Sequence, residues 1–173
     1  TAISVANSTN TQVLRNTITA GKDKEVDWNG DGLPESTSVS GILISGNYAG
    51  NNMVADNQVS NYTSIINPSN AVALWCDSGG YSNTYQRNRV FDFQGYGFNI
   101  ESRCADNIVQ ENLSYRNRYG FSTAGFWVNE TPRTQWLNNV AYGNTYAGFT
   151  MEKSAGNVMK NNISANNGSS QVY

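Results

Sequence analysis

Residues 97–113, with the sequence GFNIESRCADNIVQENL, contain two short apolar segments whose recurrence along the chain decides the fold. The first segment, 97–100, alternates apolar and polar side chains, and the second, 108–113, ends on an aliphatic residue. Short segments of this kind predict β-strands. Their repetition at intervals of roughly two dozen residues predicts a solenoid.

The second segment recurs six times, in the form β-residue, two positions, Asn, one position, aliphatic residue. Its copies are residues 13–18, 54–59, 85–90, 108–113, 135–140 and 158–163. The aliphatic column contains Ile18, Val59, Val90, Leu113, Val140 and Ile163, and the polar column contains Asn16, Asn57, Asn88, Glu111, Asn138 and Asn161. Glu111 departs from the polar column, where a one-residue slip would use Asn112 instead. The spacings of 41, 31, 23, 27 and 23 residues indicate a constant coil with inserted loops.

Another recurring strand lies upstream of each copy, at residues 41–44, 73–76, 97–100, 125–128 and 148–151. Alternation directs one face of this strand inward, so that like residues stack on like residues at about 4.8 Å per rung. The predicted fold is therefore all-β, a right-handed parallel β-helix of about six rungs with inserted loops. We expect residues 1–173 to form one domain, part of a longer protein, with its ends contacting further rungs or a neighbouring chain.

The composition excludes several classes of function. The formal net charge is −2 with no basic run, which argues against nucleic-acid binding, and no apolar stretch is long enough to insert in a membrane. The chain has no histidine, so Ser-His-Asp catalysis and histidine-ligated zinc are excluded.

The repeated pattern of Gly-Phe followed by the asparagine segment resembles the parallel β-helix repeat of pectin-lyase-like proteins and of carbohydrate-binding and sugar-hydrolase repeat proteins. The resemblance covers most of the chain from Thr11 to Ile163. It implies a secreted or cell-surface location and a polysaccharide or oligosaccharide as partner. It leaves the activity open, because that superfamily includes lyases, hydrolases, epimerases, tailspikes and adhesin stalks.

A candidate site follows from the outward positions of the upstream strand, since aromatic rings stack on sugars while carboxylates and amides bind hydroxyl groups. The outward column of acids and amides is Ser45, Asp77, Glu101, Asn129 and Glu152, beside Trp75, Asn99 and Trp127. In the enzymes that the sequence resembles, loops wall this face, and here those walls carry Arg103, Arg116 and Tyr119. The predicted catalytic residues are Asp77, Glu101, Glu152 and Arg103; the predicted substrate-binding residues are Trp75, Asn99, Trp127, Asn129, Arg116 and Tyr119. The alternative is that loops 60–70 and 117–124 bury the two tryptophans as satellite core.

Two kinds of function remain open at this point. Asp77 and Glu101 lie one rung apart, about 5 Å, as in retaining glycosidases, whereas Glu101 and Glu152 lie two rungs apart, roughly 9–10 Å. A lyase would instead use an arginine or lysine as the base. The first hypothesis is an extracellular polysaccharide-processing enzyme, hydrolase or lyase, and the second is a non-catalytic carbohydrate-binding or adhesion module.

An acidic loop predicts a structural calcium site. Its oxygen-bearing residues Asp27, Asn29, Asp31 and Glu35 occupy positions 1, 3, 5 and 9 of an EF-hand-like loop, with Gly32 at position 6. The acid expected at position 12 is missing, because Ser38 stands there. The alternative interpretation is a solvated Asn-Gly and Asp-Gly turn.

The only two cysteines, Cys76 and Cys104, fall on adjacent rungs. A disulfide is favoured if the protein is exported, and two reduced, packed cysteines are the alternative.

Overall fold

In the computed structural model the described residues are 1–19, 21, 25–26, 35–36, 39–63, 71–124, 131–168 and 170–172, and they contain strands but no helix. The strands are β1 (Ile3–Ala6), β2 (Gln12–Leu14), β3 (Thr17–Thr19), β4 (Glu25–Val26), β5 (Glu35–Ser36), β6 (Val39–Ser45), β7 (Met53–Ala55), β8 (Gln58–Tyr62), β9 (Ala71–Asp77), β10 (Thr84–Gln86), β11 (Arg89–Phe93), β12 (Tyr96–Glu101), β13 (Ile108–Gln110), β14 (Leu113–Tyr115), β15 (Tyr119–Ala124), β16 (Gln135–Leu137), β17 (Val140–Tyr142), β18 (Ala147–Met151), β19 (Val158–Lys160), β20 (Ile163–Ala165) and β21 (Ser170–Val172).

Except for β4 and β5, these strands form three parallel sheets, and each of six turns contributes one strand to every sheet, while β21 adds a seventh strand to the first sheet. The first sheet has the order β1-β6-β9-β12-β15-β18-β21, the second β2-β7-β10-β13-β16-β19, and the third β3-β8-β11-β14-β17-β20. Strands β4 and β5 form a separate antiparallel pair. The predicted parallel β-helix of about six rungs is confirmed.

Most of the described corners share one local structure, in which a left-handed residue is followed by a residue that stacks on its equivalents in the neighbouring rungs. Between the second and third sheets the left-handed residues are Arg15, Asp56, Arg87, Glu111, Asn138 and Asn161, with φ between 51° and 60°. The asparagine that follows each of them accepts hydrogen bonds from the corresponding residue of the preceding rung, as Asn57 Nδ2 donates to Asn88 Oδ1 at 2.9 Å. The ladder is Asn16, Asn57, Asn88, Asn112, Asn139 and Asn162.

Shorter asparagine ladders occupy the other two corners. Asn52, Asn83 and Asn107 are linked between the first and second sheets, and Asn117, Asn144 and Asn167 between the third and first. Apart from Asn16, each of these asparagine amides also donates to a carbonyl of the preceding rung, as Asn112 Nδ2 does to Tyr85 O at 2.9 Å. These side chains satisfy the backbone groups that a sharp bend leaves without strand partners.

The register of the predicted aliphatic column is correct in three rungs and wrong in the other three. Ile18, Val59 and Val90 pair in register and point inward, but the next inward position is Ser114, and not Leu113. The inward residues of the following rungs are Ala141 and Ser164, so Val140 and Ile163 face outward, and Ile163 is 57% exposed. The predicted polar column is displaced by one residue in the same three rungs. There Glu111, Asn138 and Asn161 are the left-handed residues, and the asparagine after each of them belongs to the ladder.

The reason for this shift is the volume available inside each rung. The first sheet directs Ile42 and Leu74 inward in the second and third rungs, but Phe98, Phe121 and Phe149 in the next three. The phenylalanine rings stack at 4.7 and 4.8 Å between centroids. Because interiors pack at nearly constant density, a larger side chain on one sheet requires a smaller one on the facing sheet. Serine and alanine therefore replace valine.

Glycine recurs beside the inward aromatic residue because the chain is tightly packed at that corner. A Cβ atom on Gly97 would lie 2.2 Å from Ser114 Oγ, and one on Gly41 would lie 2.3 Å from a methyl carbon of Val59. Both distances are well below van der Waals contact, so a side chain at either position would displace the third sheet. This explains the Gly-Phe pairs of the sequence pattern.

The predicted first-sheet strand of the fifth rung is wrong. It was expected at residues 125–128, but strand β15 (Tyr119–Ala124) pairs with β12 and β18, with Phe121 in register with Phe98 and Phe149. Two Gly-Phe pairs, at 120–121 and 125–126, compete for this position in the sequence. The first of them leaves only a short corner after Asn117, as in the neighbouring rungs. Residues 117–124 are consequently not the loop that the alternative interpretation required.

Cys76 and Cys104 form a disulfide, with their Cα atoms 6.2 Å apart, and both residues are buried. The bridge joins the third rung to the turn that follows the fourth first-sheet strand. It spans 28 residues, so by the chain-entropy model it stabilises the fold by about 3–4 kcal/mol. The structure therefore selects the disulfide over the alternative of two reduced, packed cysteines.

Replacing Tyr85 with phenylalanine is expected to raise the free energy of unfolding by about 1–2 kcal/mol. The Tyr85 side chain is fully buried, and its hydroxyl oxygen has no hydrogen-bond partner, whereas water solvates that group in the unfolded chain. Burial also raises the pKa of the Tyr85 phenol above its ordinary value of 10.0, so the stability advantage of the variant over the wild type should grow as the pH rises above that value. Urea denaturation of Tyr85→Phe beside Tyr81→Phe, at a partly exposed tyrosine, measures the effect. A loss of stability in Tyr85→Phe would contradict it.

Candidate functional site

The outer face of the first sheet carries the residues that the sequence singled out. Trp75, Asn99, Ser122 and Thr150 are register partners in four successive strands and point away from the core. Trp75 is partly buried, but Asn99, Ser122 and Thr150 are only 3%, 1% and 4% exposed. Asn99 therefore points outward, as predicted, but its side chain is almost inaccessible to solvent.

Glu101 lies at the end of strand β12 and is held by two of these neighbours. The indole Nε1 of Trp75 donates to Glu101 Oε1 at 2.7 Å, and Nδ2 of Asn99 donates to Glu101 Oε2 at 2.9 Å. Residues 99 and 101 share one face of the strand because side chains alternate, and Trp75 reaches them from the adjacent strand. Both carboxylate oxygens accordingly accept a hydrogen bond.

Asp77, Glu101 and Glu152 lie in one column along the helix axis. Asp77 follows Cys76 and Glu101 follows Ile100, and these two preceding residues are register partners. The next positions of the column are Ala124, the partner of Glu101, and then Glu152, which follows the Met151 that pairs with Thr123. Ala124 stands where Asn129 was expected. Asp77 and Glu101 are partly buried, whereas Glu152 is exposed.

A polar cleft of about 440 Å³ lies in the turns between the first and second sheets, and it is lined by residues that directly follow the two acids. It is lined by Asn7, Gly46, Asn47, Ser78, Ser102 and Arg103. Ser78 directly follows Asp77, and Ser102 and Arg103 directly follow Glu101. Sequence reasoning selected Arg103 but missed the serines and Asn47. The left-handed backbone of Ser78 and Ser102, which turns the chain at the strand end, is what brings them into the cleft.

Tyr119 lies at the opposite end of the same strands, in a group of aromatic rings. Its ring stacks on that of Tyr96, with 4.6 Å between the ring centroids, and lies 5.0 Å from the ring centroid of Tyr146. The Arg118 guanidinium lies 5.4 Å from the ring centroid of Tyr119. Burial raises the pKa of Tyr96 to about 12, and the phenol of Tyr119 and the carboxylates of Glu101 and Glu152 add to the shift. Tyr96, which sequence reasoning did not select, therefore remains a neutral hydroxyl donor at physiological pH.

Arg116 lies away from this face, at the corner between the third and first sheets. Its guanidinium donates to both carboxylate oxygens of Asp92, at 2.7 and 2.8 Å, and lies 4.8 Å from the ring centroid of Tyr115. Arg116 holds the pKa of Asp92 below its ordinary value by this hydrogen bonding. The structure does not bring Arg116 together with Trp75 or Glu101 on the outer face of the first sheet.

Several predicted site residues lie outside the described residues. These are Trp127, Asn129, Asp27, Asn29 and Asp31. Of the calcium loop, only Glu35 is described, in strand β5, whose backbone pairs with β4. Within the described ranges no group of three or more Cys, Asp or Glu side chains is arranged to hold a metal ion. The calcium site stays a prediction.

No helix in the described part of the chain is sufficiently long and apolar to span a membrane. Comparison of the chain with protein-family models, with curated proteins and with solved structures finds no match.

Proposed function

We propose that this protein is an extracellular polysaccharide-processing domain that hydrolyses glycosidic bonds at the strand ends of its first sheet, where Asp77 and Glu101 lie. The observation that carries the proposal is the pair of carboxylates at the same end of neighbouring strands, Asp77 and Glu101, beside a polar cleft. Adjacent strands lie about 4.8 Å apart, and retaining glycosidases separate their two carboxyl groups by about 5–5.5 Å.

The two acids differ in their surroundings in a way that assigns their roles. Glu101 accepts hydrogen bonds on both oxygens, an arrangement that favours the charged form and suits the nucleophile. Asp77 is then the residue that protonates the leaving oxygen and afterwards activates water. Arg103 is exposed in the wall of the cleft, where its cation would bind an anionic group of the substrate.

The disulfide supports the proposal in two respects. Cys76 directly precedes Asp77, and Cys104 directly follows Arg103, so the bridge restrains the two strand ends that carry the acids. Catalytic groups require such a rigid support, because small displacements cost much of the rate. Disulfides also persist mainly in exported proteins, which supports a secreted or cell-surface location.

Glu152 offers a second pairing. It lies two rungs from Glu101, roughly 9–10 Å away, at the upper end of the range for inverting glycosidases. A lyase that uses a basic residue of the wall is the other chemistry for the same cleft. The stereochemistry and the unsaturation of the products separate these three cases.

The second candidate function is a non-catalytic carbohydrate-binding or adhesion module. The specific observation in its favour is that the Glu101 carboxylate is already engaged by Trp75 and Asn99, as a structural carboxylate would be. On this alternative the polar cleft and the aromatic residues bind a glycan without cleaving it.

Incubation with a panel of polysaccharides, followed by product analysis, tests the proposal. We expect new reducing ends with retained anomeric configuration and no unsaturated sugars. Asp77→Asn and Glu101→Gln should abolish turnover while glycan binding persists, because both changes preserve shape but remove the reacting carboxylates. Glu111→Gln, at an exposed acid on another corner, is the matched control and should keep full activity.

The other outcomes discriminate between the alternatives. Full turnover in both Asp77→Asn and Glu101→Gln would remove these residues from the mechanism. Inverted products that depend on Glu152 would select the second pairing, and unsaturated products would identify a lyase. Glycan binding by the wild type without new reducing ends or unsaturated products would establish the non-catalytic module.

A further inference from the structure

We propose that Trp75 and Asn99 are positioning residues, which hold the carboxylate of Glu101 in one orientation on the outer face of the first sheet. Sequence reasoning assigned both to substrate binding. The inference rests on the proposed function in so far as Glu101 is the catalytic group that they position.

The two donors approach the carboxylate from different strands. Trp75 in β9 and Asn99 in β12 are register partners, and Glu101 is two residues beyond Asn99 on the same face. Trp75 Nε1 lies 2.7 Å from Oε1, and Asn99 Nδ2 lies 2.9 Å from Oε2. With one donor on each oxygen, rotation of the carboxylate about its terminal bond would break both hydrogen bonds.

The burial of Asn99 argues against direct substrate binding by this residue. A side chain that is 3% exposed offers almost no surface to a sugar. Its Oδ1 atom is buried without a hydrogen-bond partner, so the amide orientation is selected by the bond from Nδ2 to Glu101. The reversed amide would direct Oδ1 at the carboxylate oxygen, which is repulsive. Leaving an acceptor unsatisfied is costly, and the hydrogen bond to a charged group compensates for that cost.

The predicted consequence is a defined protonation state at Glu101. Hydrogen bonds donated to a carboxylate stabilise its charged form, so removing either donor makes protonation easier. Each substitution should therefore shift the titration of Glu101 to higher pH, by about one pH unit. A side chain that merely fills space beside Glu101 would not produce such a shift.

Titration of the Glu101 side-chain carboxyl carbon by ¹³C NMR tests the inference without any substrate. The resonance is assigned by its loss in Glu101→Gln. Trp75→Phe and Asn99→Leu each remove one donor while keeping most of the side-chain volume. Thr150→Val, in the same outward column two rungs from Asn99, is the matched control. The midpoint should rise in both donor variants and stay unchanged in the control.

Unchanged midpoints in folded Trp75→Phe and Asn99→Leu would overturn the inference, and either variant alone suffices if the other fails to fold. If the protein hydrolyses a glycan, the acid limb of the pH profile of kcat/KM should move with the NMR midpoint. If no glycan is cleaved but the midpoints move, the positioning stands and the proposed function fails.

Discussion

Replacing Asn88 with alanine is expected to lower the free energy of unfolding by about 3–5 kcal/mol. Asn88 Nδ2 donates to Val54 O at 2.8 Å and to Asn112 Oδ1 at 3.0 Å. Its Oδ1 accepts from the backbone N and from Nδ2 of Asn57, at 3.0 and 2.9 Å. The substitution removes all four bonds and leaves buried groups of two neighbouring rungs without partners. Equilibrium denaturation in urea measures the loss.

Two further variants provide controls for the ladder. Asn16→Ala affects a half-buried ladder residue whose side chain donates to Leu14 O and Asn57 Oδ1, so a loss of about 1–2 kcal/mol is expected. Gln110→Ala removes an amide of an outward, partly exposed side chain and should change stability by less than about 0.5 kcal/mol. Equal losses in Asn88→Ala and Gln110→Ala would contradict a stabilising role of the ladder.

Replacing Phe121 with alanine is expected to cost about 3–5 kcal/mol. Its ring is fully buried between Phe98 and Phe149, with centroid distances of 4.7 and 4.8 Å, and it contacts Trp136 edge to face. The cavity lies in the middle of a stack, where Ala141 and its neighbours are held by the sheets and cannot collapse into it. Thermal and urea denaturation of the purified variant test this expectation.

Tyr142→Ala is the matched control for the aromatic stack. Tyr142 lies in strand β17 of the third sheet, but it points outward and is 48% exposed. Its loss should change the free energy of unfolding by less than about 1 kcal/mol. A cost of Phe121→Ala below that of Tyr142→Ala would show that the stacked interior is not the main source of stability.

The site depends on the same stacking that stabilises the fold. Trp75 and Glu101 lie on different rungs, so their hydrogen bond exists only when β9 and β12 are in register. The ladder residues Asn83 and Asn107 connect the same two rungs, as does the disulfide. Substitutions in the ladder near these rungs should therefore affect the candidate site as well as stability.

The sequence alone determined the repeat and, with it, the parallel β-helix. A two-residue alternation and recurring asparagines are local features, and they predict inward positions such as Ile42, Phe98 and Phe149 without knowledge of neighbours. The same alternation placed Trp75, Asp77, Asn99 and Glu101 on one outer face. The cysteine pair on adjacent rungs made a disulfide possible, but the choice between a bridge and two reduced cysteines came from the structure.

Only the tertiary structure decided which residues point inward in the third sheet of the later rungs, and which contacts the residues of the candidate site make. In the pairs Asn138-Asn139 and Asn161-Asn162 either asparagine could belong to the ladder, and each choice directs a different residue of the following strand inward. The choice depends on the volume that phenylalanine already occupies across the interior. The competing Gly-Phe pairs around Gly120 likewise required strand pairing to resolve. The burial of Asn99 and its bond to Glu101 arise from contacts between rungs. Local patterns predict which residues face outward, but packing between distant segments determines what each outward residue contacts.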